Sequence, residues 1–560
     1  PPHTLSSRTF IPWIELILAR PVSTFQKSLE PCDLFEYTSG RWIYNENLRH
    51  RERRRVFNIS ELKRLAALAV QQKAADVIEF KKLAEGGFNR SFLITMRDGS
   101  QLVARIPYPA TEPKFLLVAS EVATLDFLRL HGIPVPKVFD YSAVADNSAG
   151  TEYIFMEYVQ GKNLADVWYT LSERERRELV ANIVQLESRL FSLRFPASGS
   201  LYYCNYLPDK YSRVTVPSPG SSHRFCVGPD TSLRSWYGKR LNLSVERGPY
   251  RDLLAVLTAG AKKEIAYLEQ FGRPLQPFQR LRREVYNYQP QSHQEHAAAL
   301  EKYLQIAPYL IPQDCRALHR PAIRHPDLQP NNIFITDDLK VKGLIDWQHS
   351  TVLPLFLQCG IPESLQNYGD EISESLQLPT LPTDFDELEE IEQFQQAELL
   401  RRRQIHYFYV KLTAERNPEH YEALTLQFST LRQRLFHHAS DPWEGDNTTL
   451  TADLITLSKK WAGFAQDARK PCPISFSDDE AMEYLRLERA QSEADEQFQA
   501  CREAIGVGHE GWVSLENYDE AKKSERKLKA DALDAAETEE EKARIQENWI
   551  FDDFCEEEYL

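Results

Sequence analysis

Between Phe80 and Pro107, apolar and polar positions alternate in a way that predicts three strands joined by two turns. Phe92-Leu93-Ile94 is the apolar centre of the second strand, and Leu102-Val103-Ala104-Arg105-Ile106-Pro107 forms the third. Glu85-Gly86-Gly87-Phe88-Asn89-Arg90 makes the first turn, and Asp98-Gly99 the second. A helical spacing opens at Glu121 and is stopped by Gly132 and Pro134. Tyr153-Ile154-Phe155-Met156 reads as one more strand. An earlier helix is expected from Ile59 to Gln72, with Ser60 as its cap. Later the period is mostly helical. Ser172 to Leu193 lines up Val180, Ile183, Val184, Leu186 and Leu190, a stripe that core packing explains fully. Leu253 to Phe271, His293 to Ile306, Asp478 to Ile505 and Leu515 to Asn548 are further predicted helices, the last two highly charged. Pro217 to Ser222 is expected to be a flexible loop.

One interruption of the helical pattern carries chemistry. Ile333-Phe334-Ile335 and Gly343-Leu344-Ile345 are short apolar strands around a polar turn at Asp337-Asp338. His325-Pro326-Asp327-Leu328-Gln329-Pro330-Asn331-Asn332 leads into this hairpin, and Asp346-Trp347 leaves it. Asp327 and Asn332 are five residues apart, and Asp346 lies nineteen beyond Asp327. The hairpin would hold an Asp, an Asn and a second Asp at one edge. Phosphoryl transfer needs such a set: a carboxylate to orient a hydroxyl proton, and hard oxygen ligands for Mg²⁺. Asn332 and Asp346 suit the metal, which leaves Asp327 to face an acceptor hydroxyl. His325 would brace the loop. Gly86 and Gly87 would let a backbone approach phosphates closely, although an ordinary β-turn uses such a pair equally well.

Composition narrows the field. The chain has 560 residues, 42% of them hydrophobic, enough for more than one domain. Its net charge of −15 argues against bulk nucleic-acid binding. No run of eighteen apolar residues predicts a membrane-spanning helix. The eight cysteines are scattered, with no CxxC pair, which suits a reducing compartment.

The HxDxxxxN loop followed by Ile345-Asp346-Trp347 resembles the catalytic loop of the aminoglycoside phosphotransferase and choline kinase superfamily, distant relatives of protein kinases. The resemblance implies an α+β, two-lobed protein-kinase-like fold, with a small antiparallel-sheet N-lobe and a large helical C-lobe. It implies ATP and Mg²⁺ as cofactors, Asp327 as catalytic base, and Asn332 and Asp346 as metal ligands. It also implies that Gly86 and Gly87 cover the phosphates, that Arg105 clamps them, and that Glu121 pairs with Arg105. Glu157 to Gly161, with Glu157 and Val159, would be the interlobe hinge that holds adenine. Arginine at position 105, where protein kinases have lysine, is one departure from protein kinases, and no DFG or APE-like triplet is present. Thr351 to Leu357 lacks the Asp of the GDPxxDLA-like segment common in small-molecule kinases of the superfamily.

Phe35 to Trp42, Phe225 to Pro229, Trp236-Tyr237, Arg240, Arg247-Gly248-Pro249 and Asp346 to His349 sharpen the resemblance. Together they resemble a fungal phosphotransferase-like group that includes altered inheritance of mitochondria proteins, over roughly residues 33–470. That implies a mitochondrial location, with the cytoplasm as the alternative. The expected organisation is an extension over 1–32 resembling a transit-peptide remnant, an N-lobe over 33–158, a helical C-lobe over 159–470, and a charged helical extension over 471–560. The extension would be helical padding or a protein-partner surface, with no site. Trp236 and Arg240 are candidates for acceptor recognition, or else a surface aromatic and a salt-bridged arginine. The arginines from Arg49 to Arg55 read as a targeting or nucleic-acid patch, or as a solvated helix face or interlobe contact. Two functions follow: a Mg-ATP-dependent phosphotransferase with an unidentified small hydroxyl or amine acceptor, or a nucleotide-binding pseudokinase that acts as a scaffold.

Overall fold

The structure is a computed structural model that describes residues 31–465 and 470–560. The expected transit-peptide remnant lies almost wholly outside the described residues. The start of the described chain is tied to its end: β1 (Gly40–Trp42) pairs antiparallel with Trp512–Ser514. The strands β2 (Val77–Glu85), β3 (Asn89–Met96), β4 (Gln101–Pro107), β5 (Val138–Ser142) and β6 (Tyr153–Glu157) form an antiparallel sheet in the order β2-β3-β4-β6-β5.

The two-residue period of the strands gives this sheet two faces. Phe92, Ile94, Leu102, Ala104, Ile106 and Phe155 pack with Leu62 and Ala66 of the helix Ile59–Ala69. Ile154 and Met156, with Val103, pack with Leu116, Val118 and Val122 of the helix Lys114–Leu130. Arg105, two residues from Val103, shares that second face. The helix therefore begins earlier than the pattern at Glu121 suggests. Pro113 stands at its N-cap, the buried run from Leu116 to Ser120 belongs to it, and Glu121 is an interior, buried position. Asn58, not Ser60, caps the helix Ile59–Ala69, its side chain accepting from the Glu61 amide at 3.0 Å.

The helical lobe has two cores. Glu173–Ser192, capped by Ser172, buries its expected stripe against Ile405, Phe408, Tyr409 and Leu412 of Glu390–Arg416. Leu253–Phe271, His293–Ile306, Ser429–His438 and Thr448–Lys459 build the other. The segment expected as a loop at Pro217 to Ser222 is a hairpin turn between β9 (Val214–Ser218) and β10 (Ser221–Gly228), with β8 (Ser200–Tyr203) on the far side of β10. Gly220 at φ 80° supplies the left-handed residue this turn uses. Between the lobes, β7 (Lys162–Asn163) edges the hairpin that follows the HxDxxxxN loop. A short pair, β11 (Pro321–Ile323) and β14 (Val352–Pro354), flanks that hairpin, which is β12 (Ile333–Ile335) and β13 (Val341–Leu344).

Asp478–Ile505 is helical as expected. The stretch from Leu515 to Asn548 is two helices, Tyr518–Ala535 and Glu539–Glu547, because Thr538 caps a new start. The extension is no mere padding. Val513, Trp549, Ile550 and Phe551 form a core with Ile43, Ile505 and Val507. Arg282 pairs with Asp495 at 2.7 Å, and Arg49 with Glu556 at 2.5 Å. Arg53 pairs with Glu510 at 3.1 Å, and Arg55 with Glu152. The Arg49 to Arg55 cluster thus ties parts of this chain together and is no nucleic-acid patch. Among the described residues no helix is long and apolar enough to cross a membrane.

Candidate active site

The hairpin β12–β13 registers Ile333 opposite Leu344 and Phe334 opposite Gly343, which brings residues 327–332 beside residue 346. His325 fastens the two. Its Nδ1 accepts from the Asp327 amide at 3.1 Å, so Nε2 carries the proton and donates to the Ile345 carbonyl at 2.8 Å. Burial pushes this imidazole down to about 4, so it remains neutral. The Trp347 ring stands edge-on to it at 4.7 Å. The brace expected of His325 is present.

Asn332 is buried, and its amide nitrogen donates to the Asp327 carbonyl at 2.9 Å and to Asp327 Oδ2 at 3.0 Å. Gln329 donates to the same oxygen. Asp327 Oδ1 is left clear of both, and the Asn332 amide oxygen faces away from Asp327. Burial lifts the Asp327 carboxyl to about 6, against the opposing pull of Gln329.

Asp346 sits at φ 66°, in the left-handed region that Asp tolerates better than most residues. Arg105, reaching across from β4, donates through Nη1 to Glu121 Oε1 at 2.5 Å and through Nη2 to Asp346 Oδ1. The same Nη2 meets Gln348 Oε1 at 2.9 Å. Burial raises the Asp346 carboxyl, but the Arg105 guanidinium outweighs it and holds the group below the usual carboxylate range. Burial lifts Glu121 to about 7, opposed by Arg105. The Asn89 carboxamide, at the start of β3, faces Arg105 and, with its oxygen turned toward the guanidinium, accepts from Nε at 3.0 Å. The sequence pattern includes Asn89 in the glycine turn and Gln348 in the 346–349 stretch, but gives neither a role. Their signal is position alone, at the end of the glycine turn and two residues after Asp346.

Gly86 and Gly87 form the turn between β2 and β3, closed by the Gly86 amide on the Asn89 carbonyl at 2.9 Å. Neither has a positive φ, and a Cβ on Gly87 would meet nothing within 4 Å. The protein's own packing therefore does not demand glycine at position 87. At the other end of the sheet the Glu157 amide is committed to the Lys137 carbonyl at 2.8 Å. Its carboxylate is held by Arg129 at 3.2 Å and the Lys137 amide at 3.0 Å. Val159 lies past the end of β6 and packs on Gly343, where a Cβ would come within 2.5 Å of Val159 Cγ1.

A cavity of about 1050 Å³ opens at Asp327. Gln329, Phe88, Asp230 and His349 line it near the loop of residues 325–332. His349 donates through Nδ1 to the Thr231 carbonyl at 2.8 Å, which leaves Nε2 as an acceptor. Trp236 and Arg240 do not serve acceptor recognition. Trp236 is buried, with Nε1 on the Asp230 carbonyl at 2.7 Å, and Arg240 is fully buried and forked onto Glu264. Neither lies at the surface, and Trp236 Nε1 and Arg240 Nε and Nη2 are taken by structural partners.

Residues 79–356 match the model of the phosphotransferase enzyme family. A subtelomeric hrmA-associated cluster protein of Aspergillus fumigatus is 32% identical over 509 residues, covering 85% of this chain and 97% of that protein. Altered inheritance of mitochondria protein 9, mitochondrial, of Saccharomyces cerevisiae is 23% identical over 495 residues, covering 79% of this chain and 74% of that one. Among solved structures, the streptomycin-ATP-APH(2")-IIa ternary complex aligns with a TM-score of 0.35 at 14% identity, over 73% of this chain and 99% of that chain. The matched segment runs from β2 through the hairpin β12–β13 to β14, and the chain belongs to the phosphotransferase enzyme family.

Proposed function

We propose that the protein is a Mg-ATP-dependent phosphotransferase acting on a small-molecule hydroxyl or amine. The observation that carries this reading is Asp327, a carboxylate with one clear oxygen, set by the hairpin register beside Asn332 and Asp346. Arg105 is the phosphate clamp, fixed in place by Glu121. Gly86 and Gly87 let the turn backbone lie over the phosphates, and the free space at Gly87 supports that role. Val159 contributes backbone at the adenine end. The Glu157 amide, being used within the lobe, contributes only through its carbonyl side.

Asn332 and Asp346 fit Mg²⁺. The Asn332 amide nitrogen is spent on Asp327, which leaves its oxygen as the ligand, and Asp346 keeps Oδ2 clear of Arg105. When bound, Mg²⁺ supplies charge neutralisation at the phosphates. Asp327 Oδ1 orients the acceptor and takes its proton as the acceptor oxygen or nitrogen bonds to the γ-phosphorus. The bond from that phosphorus to the bridging oxygen breaks, and ADP leaves. His325 holds Asp327 and the approach to Asp346 in fixed register.

A non-transferring nucleotide-binding scaffold is the second reading. The direct Arg105–Asp346 pair favours it, because it occupies one oxygen of a metal ligand. The test is an untargeted metabolite screen with Mg-ATP for the mass gain of one phosphoryl group, run with wild type and Asp327→Asn. A wild-type-only product supports transfer, and nucleotide binding without any product supports the scaffold. A mitochondrial location is inferred from the name of the yeast relative, 23% identical, and is tested by fractionating cells that express the tagged full chain.

A further inference from the structure

The family match ends at residue 356, but the wall of the cavity does not. The C-terminal extension supplies Phe498 and Arg502, both on the helix Asp478–Ile505, together with Ile550 and Phe554. Arg502 is half-buried, and its Nε is shielded from solvent with no hydrogen-bond partner among the described residues. The guanidinium stands 5.7 Å from the centre of the Phe498 ring, with no carboxylate paired to it among the described residues. Arg280, which lines the same cavity, spends its two terminal nitrogens on the Trp549 and Asp552 carbonyls.

Several acids of the cavity wall and the extension already hold other arginines. Glu510 is paired with Arg53 at 3.1 Å, Asp446 with Arg282 at 3.0 Å, and Glu556 with Arg49 at 2.5 Å. Glu444 also lines the cavity, and burial lifts its carboxyl to about 7, so it is largely protonated below neutral pH and offers Arg502 only weak compensation. Only the Nε of Arg502 is shielded from water without a partner, and the fork of N–H donors of a guanidinium matches phosphate or carboxylate oxygens. Resting on the phosphotransferase reading of Asp327, we propose that the acceptor carries an oxyanion group beside its reactive hydroxyl or amine, and that Arg502 binds that group. The C-terminal extension then sets acceptor specificity, and the substrate class is acidic rather than polycationic.

The experiment titrates inorganic phosphate and, separately, acetate into the full chain with its nucleotide site filled by the magnesium complex of a non-hydrolysable ATP analogue. Wild type is expected to bind at least one probe, and the choice of probe tells phosphate from carboxylate. Arg502→Gln is expected to lose about tenfold or more in affinity, and Arg502→Lys to lose less. Affinity for the analogue is expected to be the same in all three proteins. Should Arg502→Gln fail to fold, the comparison rests on Arg502→Lys. Equal probe affinity in wild type and the variants, or no binding of either probe to wild type, would overturn the proposal. Failure of wild type to bind the analogue is a separate result that removes the phosphotransferase reading.

Discussion

Arg105 and Asp346, 241 positions apart, are joined by an ion pair that links the small-lobe sheet to the end of the hairpin β12–β13. The same guanidinium holds Glu121, so one side chain ties a strand, a helix and that hairpin together. Arg105→Ala is expected to lose ATP affinity and also to leave the Glu121 carboxylate buried without its partner. That costs about 3 kcal/mol of stability. Arg105→Met combined with Glu121→Leu is expected to regain most of the stability and none of the ATP affinity. Chemical denaturation and nucleotide titration of the two proteins separate the roles.

Asp327→Asn keeps the shape and the hydrogen bonds to the loop but removes the base. Its kcat is expected to fall by about 10²–10⁴, with ATP affinity little changed. Equal turnover by the variant would remove Asp327 from the chemistry.

His325→Leu severs the link between the Asp327 amide and the Ile345 carbonyl. It leaves a buried N–H and a buried carbonyl without partners, at a cost of about 1–3 kcal/mol. Because both carboxylates lose register, kcat is expected to fall more than ATP affinity. A variant with normal kcat would show that the loop holds itself.

Buried neutral histidines set the acid limit of stability. Burial pushes His296 down to about 4, and His420 and His437 well below their ordinary value. In the unfolded chain these groups take up protons near pH 6.5, while in the folded chain they do not. Their contribution is full above pH 6.5 and is lost as pH falls from 6.5 toward 4. His296 alone then costs about 2 kcal/mol between pH 6.5 and 5. Denaturation midpoints measured across that range should fall, and should fall less in His296→Leu.

The small-lobe sheet was legible because alternation and turn residues are local signals, and Phe92, Leu102 and Phe155 sit where the period puts them. The loop of residues 325–332 was legible because its polar residues interrupt an apolar hairpin at a fixed spacing. The β1 pairing with Trp512–Ser514 was not, since strands of three residues far apart in sequence leave no periodic trace. Of the two readings of Trp236 and Arg240, the salt-bridged arginine is the one the fold contains, on Glu264, while Trp236 is buried on the Asp230 carbonyl. Neither residue type by itself tells a buried partner from an exposed role. Asn58 displaced Ser60 as the cap because the helix starts at Ile59, one residue before the serine. Arg502 lay within a charged helix whose pattern distinguishes no single arginine. Only the fold, by turning that helix toward the cavity, makes it different from its neighbours.

Titration calorimetry of ATP into the wild-type chain and into Asp346→Asn, with and without Mg²⁺, tests the central claim most directly. Wild type is expected to bind ATP more tightly with Mg²⁺ than without. Asp346→Asn is expected to lose that Mg²⁺-dependent gain and to bind Mg-ATP about tenfold or more weakly. No ATP binding by wild type, or a Mg²⁺-dependent gain that survives in Asp346→Asn, would contradict the account.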